Sequence, residues 1–235
     1  MLDVGVSVAL LAYKEAENLK ELLPEIRQNL EKTGVPYDIL VIDTQQTLDE
    51  TPEVCRTFGA EYYNQEEPGF GGAFKTAIKK ARREMFLILD GDGSHNPVYI
   101  PDMYAKFTAE HCDLVIGSRY TKGGKTLDSK SSIIMSRILN GVFRLCIGVR
   151  AKDISTDFRL YDTGQLKAVQ LTCVNYDVLQ EVLLKLKLNN RAFRIGEVPI
   201  TFEKRRYGES KRRLIPFIFS YIRTLFRLIG IRIRH

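Results

Sequence analysis

Two carboxylates one residue apart, in the stretch Asp90-Gly91-Asp92-Gly93, are the groups in this sequence best suited to metal chemistry. They follow the apolar run 86–89, whose unbroken hydrophobicity predicts a buried strand of a parallel sheet. Ligands of open α/β sheets bind outside the carboxyl ends of the strands. Paired acids at that place suit a hard divalent cation, Mg2+ or Mn2+, that also grips phosphate oxygens. Gly91 and Gly93 allow a tight turn and leave room for a ligand beside the backbone. The plainer reading is a polar turn, since Asp and Gly are ordinary turn residues. The remaining segments decide between the two.

Positioning such a pair requires a sheet with helices around it, and the chain provides the pattern. Residues 4–11 read as a hydrophobic strand, and 16–32 as a helix with Leu19, Leu22, Leu23, Ile26 and Leu30 on one face. A strand over 37–43 ends in Asp43; a short helix over 52–58 with Pro52 in its first turn and a strand over 60–63 follow. The glycine-rich turn 68–72 opens a helix to about residue 83, which leads into the strand before Asp90. Beyond it, 97–110 reads as helix, 113–117 as strand, 120–132 as a polar loop, 158–161 and 192–198 as strands around a helix over 177–188. Strands alternating with helices predict a Rossmann-like α/β fold with a mostly parallel sheet.

Residues 132–148 predict an amphipathic helix, with Arg137, Asn140 and Arg144 on one stripe and Ile134, Ile138, Val142 and Leu145 opposite. The last apolar segment, 214–231, carries Arg223 and Arg227 in its middle. Each would cost about 2.5 to 3.5 kcal/mol at depth in a bilayer, so a spanning helix is rejected. Arg213, Ser220, Arg223, Arg227 and Arg234 fall near one face, with Ile218, Phe219, Ile222, Leu225, Phe226 and Ile229 on the other. This is the pattern of a helix lying in a membrane interface, and equally that of a C-terminal helix packed on the domain with solvated arginines.

Charge supports an anionic partner. The net charge is +6, yet residues 203–235 hold ten Lys and Arg against two Glu, which puts +8 there and −2 on residues 1–202. Nucleic acid is set aside because these cations are interleaved with apolar residues and no DNA- or RNA-binding motif is visible. The four cysteines are far apart and form no CxxC pair, which disfavours a zinc site or disulfide framework and fits a reducing cytoplasm. The first residues have an acid and no base before their apolar run, a poor signal peptide.

By Asp90 the ordered segments resemble glycosyltransferase family 2, with its GT-A fold, and the later ones look like its polyprenyl-phosphate sugar synthases of the dolichyl-phosphate mannose synthase type. Residues 11–18, LAYKEAEN, match the opening P-x-Y-N-E-x-x-N pattern with Leu for Pro and Lys for Asn. Gly69-Phe70-Gly71-Gly72-Ala73 matches the glycine turn and Asp90-Gly91-Asp92 the D-x-D metal motif. Gly117-Ser118-Arg119-Tyr120, Ser136-Arg137 with Asn140, Asp153 with Phe158-Arg159, and the run 197–202 with Arg205 and Gly208-Glu209-Ser210-Lys211 follow in family order. Two departures stand out. Thr44 replaces the second acid after Asp43, which leaves the choice of GDP or UDP open, and Asp157 occupies a place where the family commonly has Gly.

The resemblance implies an inverting transfer of a hexose from a nucleotide sugar, GDP-mannose or UDP-glucose, to a polyprenyl or dolichyl phosphate. It implies a catalytic domain over 1–211 and an interface helix over 212–235, peripheral on the cytoplasmic face of a membrane. Asp90 and Asp92 would hold the metal, with Asp92, Arg119 and Arg205 in the catalytic set. Tyr13, Glu15, Asp43, Gly71, Asp90 and Gly91 would serve the nucleotide sugar, Tyr13 by stacking on the base. A phosphate acceptor is already an anionic nucleophile and needs cationic positioning rather than a base, for which Arg119, Arg137, Arg205 and Lys211 are available. A soluble transferase with a hydroxyl acceptor is the competing reading and would need a carboxylate such as Asp153 or Asp157 as base.

Overall fold

A computed structural model describes residues 2–208 and 214–234 of the chain. Lys211 and Arg213, and the side chains of Ile218, Phe219, Ser220, Ile222 and Arg234, lie outside the described residues.

The first half alternates as its periodicity predicts: β1 (Asp3–Leu11), α1 (Ala16–Glu31), β2 (Tyr37–Asp43), α2 (Thr51–Thr57), β3 (Glu61–Asn64), α3 (Gly69–Lys80) and β4 (Arg83–Asp90). A 3-10 turn (Pro97–Tyr99) and α4 (Ile100–Ala109) lead to β5 (Leu114–Ser118), then β6 (Lys125–Thr126), α5 (Lys130–Ile147), β7 (Arg159–Asp162), α6 (Thr163–Lys167), α7 (Val178–Asn189), β8 (Ile195–Pro199), β9 (Thr201–Phe202) and α8 (Leu214–Arg234). Seven strands form one sheet in the order β3-β2-β1-β4-β7-β5-β8. Strand β7 is antiparallel to both β4 and β5, and the other pairings in this sheet are parallel. Its strand character was legible in 158–161, but its direction was not, because pairing direction is a property of the neighbours. β6 and β9 pair separately, too short to be read from two residues each.

Side chains alternate across the sheet. Val8 and Leu10 of β1 join Leu87 and Leu89 of β4 against α1, whose Leu19, Leu22, Leu23, Ile26 and Leu30 are fully buried. Ala9, Phe86 and Ile88 face the other way, into a layer with Phe74, Phe143, Val182, Leu183 and Leu228. Both faces of the central strands are thus dry, which is why their sequences are continuous apolar runs. The register sets Leu11 opposite Asp90, so β1 and β4 deliver Glu15 and the acid pair to the same sheet edge.

Helix α8 packs on α5 and α7. Leu228 is fully buried, and Leu225 and Ile231 pack partly buried against the same core. Arg227 pairs with the buried carboxylate of Glu181 at 3.3 Å, Thr224 donates to Asp177, and Arg232 donates to the Leu145 carbonyl at 3.1 Å. The expected division into an arginine face and a membrane-directed apolar face is therefore corrected among the described residues: Arg227 turns inward and Leu225 packs on the domain. Phe226, Ile229 and Ile233 remain exposed. No helix among the described residues is long and apolar enough to cross a membrane.

Burial alone would raise the pKa of Glu181, but bonds from Lys185, from the Cys173 and Thr172 amides and from the Thr172 hydroxyl outweigh it and hold it down to about 2. A depressed folded pKa means the stabilisation is complete above the ordinary value of 4.5 and is lost as pH falls from there through about 2. Glu181→Gln should flatten the pH dependence of thermal stability across that window, and a variant whose Tm falls in parallel with wild type below pH 4.5 would contradict this reading.

Candidate active site

The acid pair sits as the strand pattern requires, at the carboxyl end of β4. A side chain at Gly91 would meet the Leu11 carbonyl at 3.1 Å and the Glu15 side chain at 3.8 Å, so glycine is what allows the two strand ends to close up here. Asp92 accepts from the Ser94 amide and hydroxyl at 2.9 and 2.6 Å, while its other oxygen lies 3.2 Å from the Arg205 guanidinium. Burial raises its pKa, and these donors more than reverse that, leaving the carboxyl below its ordinary value.

Arg205 bridges two acids, reaching Glu15 at 2.9 Å as well as Asp92. Glu15 is buried, which raises its pKa despite Arg205 and Asn18. The strap that carries Arg205 is tied across the site: Glu203 and Arg206 donate their amides to the Ser94 and Asp92 carbonyls, and Tyr207 exchanges backbone bonds with the Asn18 side chain. Asn18 of the opening motif thus anchors the strap. Its spacing of three from Glu15 on one helix turn is the signal that links them, since it accounts for the 2.5 Å bond between the two side chains.

Arg119 lies at the end of β5 and is nine-tenths buried. Its Nε and Nη2 donate to the two Asp153 oxygens at 2.7 and 2.9 Å, and Nη2 also reaches Ser155 at 2.7 Å. Asn140 of α5 supports the same loop, donating to Ser155 and accepting from the Ile154 amide. Arg137, one turn earlier on α5, is exposed; its guanidinium and that of Arg119 both lie over the Tyr120 ring, 5.4 and 5.1 Å from its centroid. Two of the four expected phosphate cations therefore share one aromatic platform, Arg205 sits on the acids, and Lys211 lies outside the described residues.

Toward the expected nucleotide end, Tyr13 is exposed and Asp43 is fully buried, accepting from the Thr44 amide at 2.7 Å and the Tyr62 hydroxyl at 2.9 Å, with its pKa raised by burial. Gly71 donates its amide to the Val174 carbonyl at 2.8 Å, and a Cβ there would overlap the Cys173 carbonyl at 2.3 Å. Close packing of α3 on the 173–174 loop is enough to require that glycine.

Sequence reasoning assigned no role to His95 and noted Asp157 as a departure and as one of two candidate bases for a hydroxyl acceptor. Both are buried beside Asp90. The imidazole Nδ1 accepts from the Asp90 amide at 3.2 Å and lies 3.8 Å from Asp90 Oδ2, and Nε2 faces Thr156 Oγ1 at 3.3 Å and Asp157 Oδ1 at 3.7 Å. Asp90, His95 and Asp157 form a group able to hold a metal ion. Oδ2 of Asp157 is a buried oxygen with no hydrogen-bond partner. A buried acid left short of donors fits a cation at this corner.

A family model, Glycosyl transferase family 2, matches residues 7–169. The dolichol-phosphate mannosyltransferase of Pyrococcus furiosus is 32% identical over 95% of this chain; the chain spans 63% of that protein, less than two thirds of its length. The undecaprenyl-phosphate mannosyltransferase of Micrococcus luteus is 29% identical over 85% of this chain and 84% of its own length. Among solved structures, glucosyl-3-phosphoglycerate synthase of Mycobacterium tuberculosis with Mn2+, UDP and glucosyl-3-phosphoglycerate superposes with a TM-score of 0.73 at 17% identity, over 97% of this chain and 80% of that one. The same enzyme with Mg2+ and UDP gives 0.74 at 18% identity, over the same shares. These structures establish the likeness of fold.

Proposed function

The chain belongs to glycosyl transferase family 2, and from that premise we propose that it transfers a hexose, mannose or glucose, from a nucleotide sugar to a polyprenyl phosphate with inversion at the anomeric carbon, working peripherally at the cytoplasmic face of a membrane. Helix α5 carries the proposal. One face of this helix presents Arg137 over Tyr120 and buries Asn140 against the Arg119 loop, while Ile134, Ile138, Val142 and Leu145 are 42 to 83% exposed on the other. A phosphate-binding arginine and a lipid-facing stripe on one helix suit an acceptor that joins a phosphate to a hydrocarbon chain. Phe226, Ile229 and Ile233 of α8, which packs on α5, are exposed apolar side chains as well.

The leaving diphosphate gains negative charge as the sugar departs; Asp90 and Asp92 would hold a divalent cation, which would supply electrostatic stabilisation of that charge. Arg205 lies 3.2 Å from Asp92, which puts its guanidinium fork at the same strand end as the acid pair, where it would offer an acceptor phosphate a bidentate partner. Arg119, fixed by Asp153, is positioned rather than mobile. Asp153 is fully buried and committed to Arg119, with its pKa held below the ordinary carboxylate range, so it is a poor general base. That favours an acceptor needing no base over the hydroxyl-acceptor reading.

The test offers GDP-mannose, UDP-glucose and related donors with Mn2+ and membranes containing a polyprenyl phosphate, and follows radiolabelled lipid. One donor is expected to give product, which names the sugar and base together; nucleotide binding without lipid product from any donor would overturn the acceptor class. Ile138→Asp with Leu145→Asp should weaken liposome association at least about tenfold, since each buried aliphatic side chain contributes about 1.5 to 3 kcal/mol. Cosedimentation equal to wild type in high salt would show that this stripe is not the docking face.

A further inference from the structure

Helix α5 ends at Gly148, whose left-handed conformation (φ 73°) closes the last turn through a bond from its amide to the Arg144 carbonyl at 2.7 Å. Three cations gather at this end. Lys187 of α7 donates to the Gly148 carbonyl, Arg232 of α8 donates to the Leu145 carbonyl at 3.1 Å and to that of Cys146, and Arg144 donates to the Arg150 carbonyl at 3.3 Å. Capping accounts for one of them, since the carboxyl end of a helix carries about half a negative charge. A surplus remains, and acids on and around these elements are committed elsewhere: Glu181 to Lys185 and Arg227, and Asp153 to Arg119. Among the described residues no ion pair joins Arg144, Lys187 or Arg232 to a carboxylate. Burial, and after it the charge of Arg232, lowers the pKa of Lys187, as crowded like charges do.

The bare Cα of Gly148 keeps a gap between two of these cations. A Cβ there would stand 3.1 Å from Lys187 Nζ and 3.4 Å from Arg232 Nη2. Both side chains retain N–H groups beyond those spent on carbonyls. Gly148 is exposed, and hydrocarbon adjoins it: Leu145, three positions earlier, and Ile233, next to Arg232, are 83 and 79% exposed. From this arrangement we infer that the gap over Gly148 seats the phosphate of an anionic membrane phospholipid between Lys187 and Arg232, with its acyl chains against Leu145 and Ile233. A phosphodiester brings the negative charge this corner lacks, and both cations border the point it occupies. The adjoining aliphatic side chains favour a lipid over a soluble anion, which would leave them in water. The cations are not the pair that the pattern of α8 sends to the headgroups, since Arg227 turns inward to Glu181; the anionic contact moves to the junction of α5, α7 and α8. The inference rests on the membrane-surface reading of the proposed function and names the lipid class that this surface selects, one typical of a cytoplasmic leaflet.

Cosedimentation at physiological ionic strength compares phosphatidylcholine vesicles with and without phosphatidylglycerol. Wild type should bind the anionic vesicles at least about 30-fold more tightly, each cation at such a surface contributing a factor of about five. Lys187→Gln with Arg232→Gln should lose about that factor and bind phosphatidylcholine as wild type does, with calorimetry as the check on folding. Gly148→Asn keeps both cations and a residue that tolerates the left-handed turn but fills the gap. It should lose at least about fivefold of the preference, and it reads the seat even where the double variant fails to fold. Inorganic phosphate at matched ionic strength should leave the wild-type preference in place. Equal binding of wild type to both vesicle types, an unchanged preference in either folded variant, or loss of the preference to inorganic phosphate overturns the inference. None of these results touches the transfer reading, whose docking face fails instead when Ile138→Asp with Leu145→Asp binds both vesicle types as wild type does.

Discussion

Asp92→Asn should lower sugar transfer by at least about a hundredfold while the fold survives, the scale seen when one preorganised group that meets developing charge is removed. Asn keeps the oxygen that accepts from the Ser94 amide and hydroxyl, so the turn after β4 retains its bonds. Arg205 keeps Glu15 at 2.9 Å, so the strap remains anchored at that end. What is lost is the charge that a divalent cation needs as the leaving diphosphate develops its own. Steady-state rates measured at saturating Mn2+, with circular dichroism as the check on folding, decide the matter. Wild-type turnover in this variant would remove Asp92 from the metal site.

The second large effect is on stability. Asp153→Ala should destabilise the protein by about 3 to 5 kcal/mol, because it leaves the buried Arg119 guanidinium without its counter-charge and the Arg119 amide without its acceptor. Spread over a chain of this size that is a fall in Tm of roughly 6 to 20 °C. The pair is worth little by comparison with a hydrophobic substitute for both residues, but breaking one half strands the other. Calorimetry on the variant tests this, and a Tm within about 2 °C of wild type would mean that Arg119 finds water or another acid. Transfer should fall as well, since the loop 153–155 and Asn140 place Arg119 beside Arg137 over Tyr120.

How the effects divide between these two variants follows from how the site is built. Asp92 places its charge at a strand end, and apart from Arg205 its side-chain partner is local in sequence, Ser94 two residues on. Asp153 and Arg119 are separated by 34 residues, and their bond exists because β5 and the loop before β7 are brought together by the antiparallel insertion of β7. Charge at one place controls chemistry; charge across the sheet controls shape.

By itself the sequence determined whatever depends on short-range periodicity. The apolar runs of β1, β2, β4 and β5, the amphipathic spacing of α1 and α5, and the placement of Asp90 at a strand end all follow from neighbours two to four residues apart, the distances over which strand and helix repeat. The tertiary structure alone decided which long-range partners these residues meet. Arg205 lies 113 positions from Asp92 and Asp157 lies 62 from His95, and no local pattern encodes such approaches. The direction of β7 and the inward turn of Arg227 toward Glu181 belong to the same class. A helical stripe says that one face differs from another, but whether an arginine there meets water, lipid or a buried carboxylate is settled by the surface it packs against.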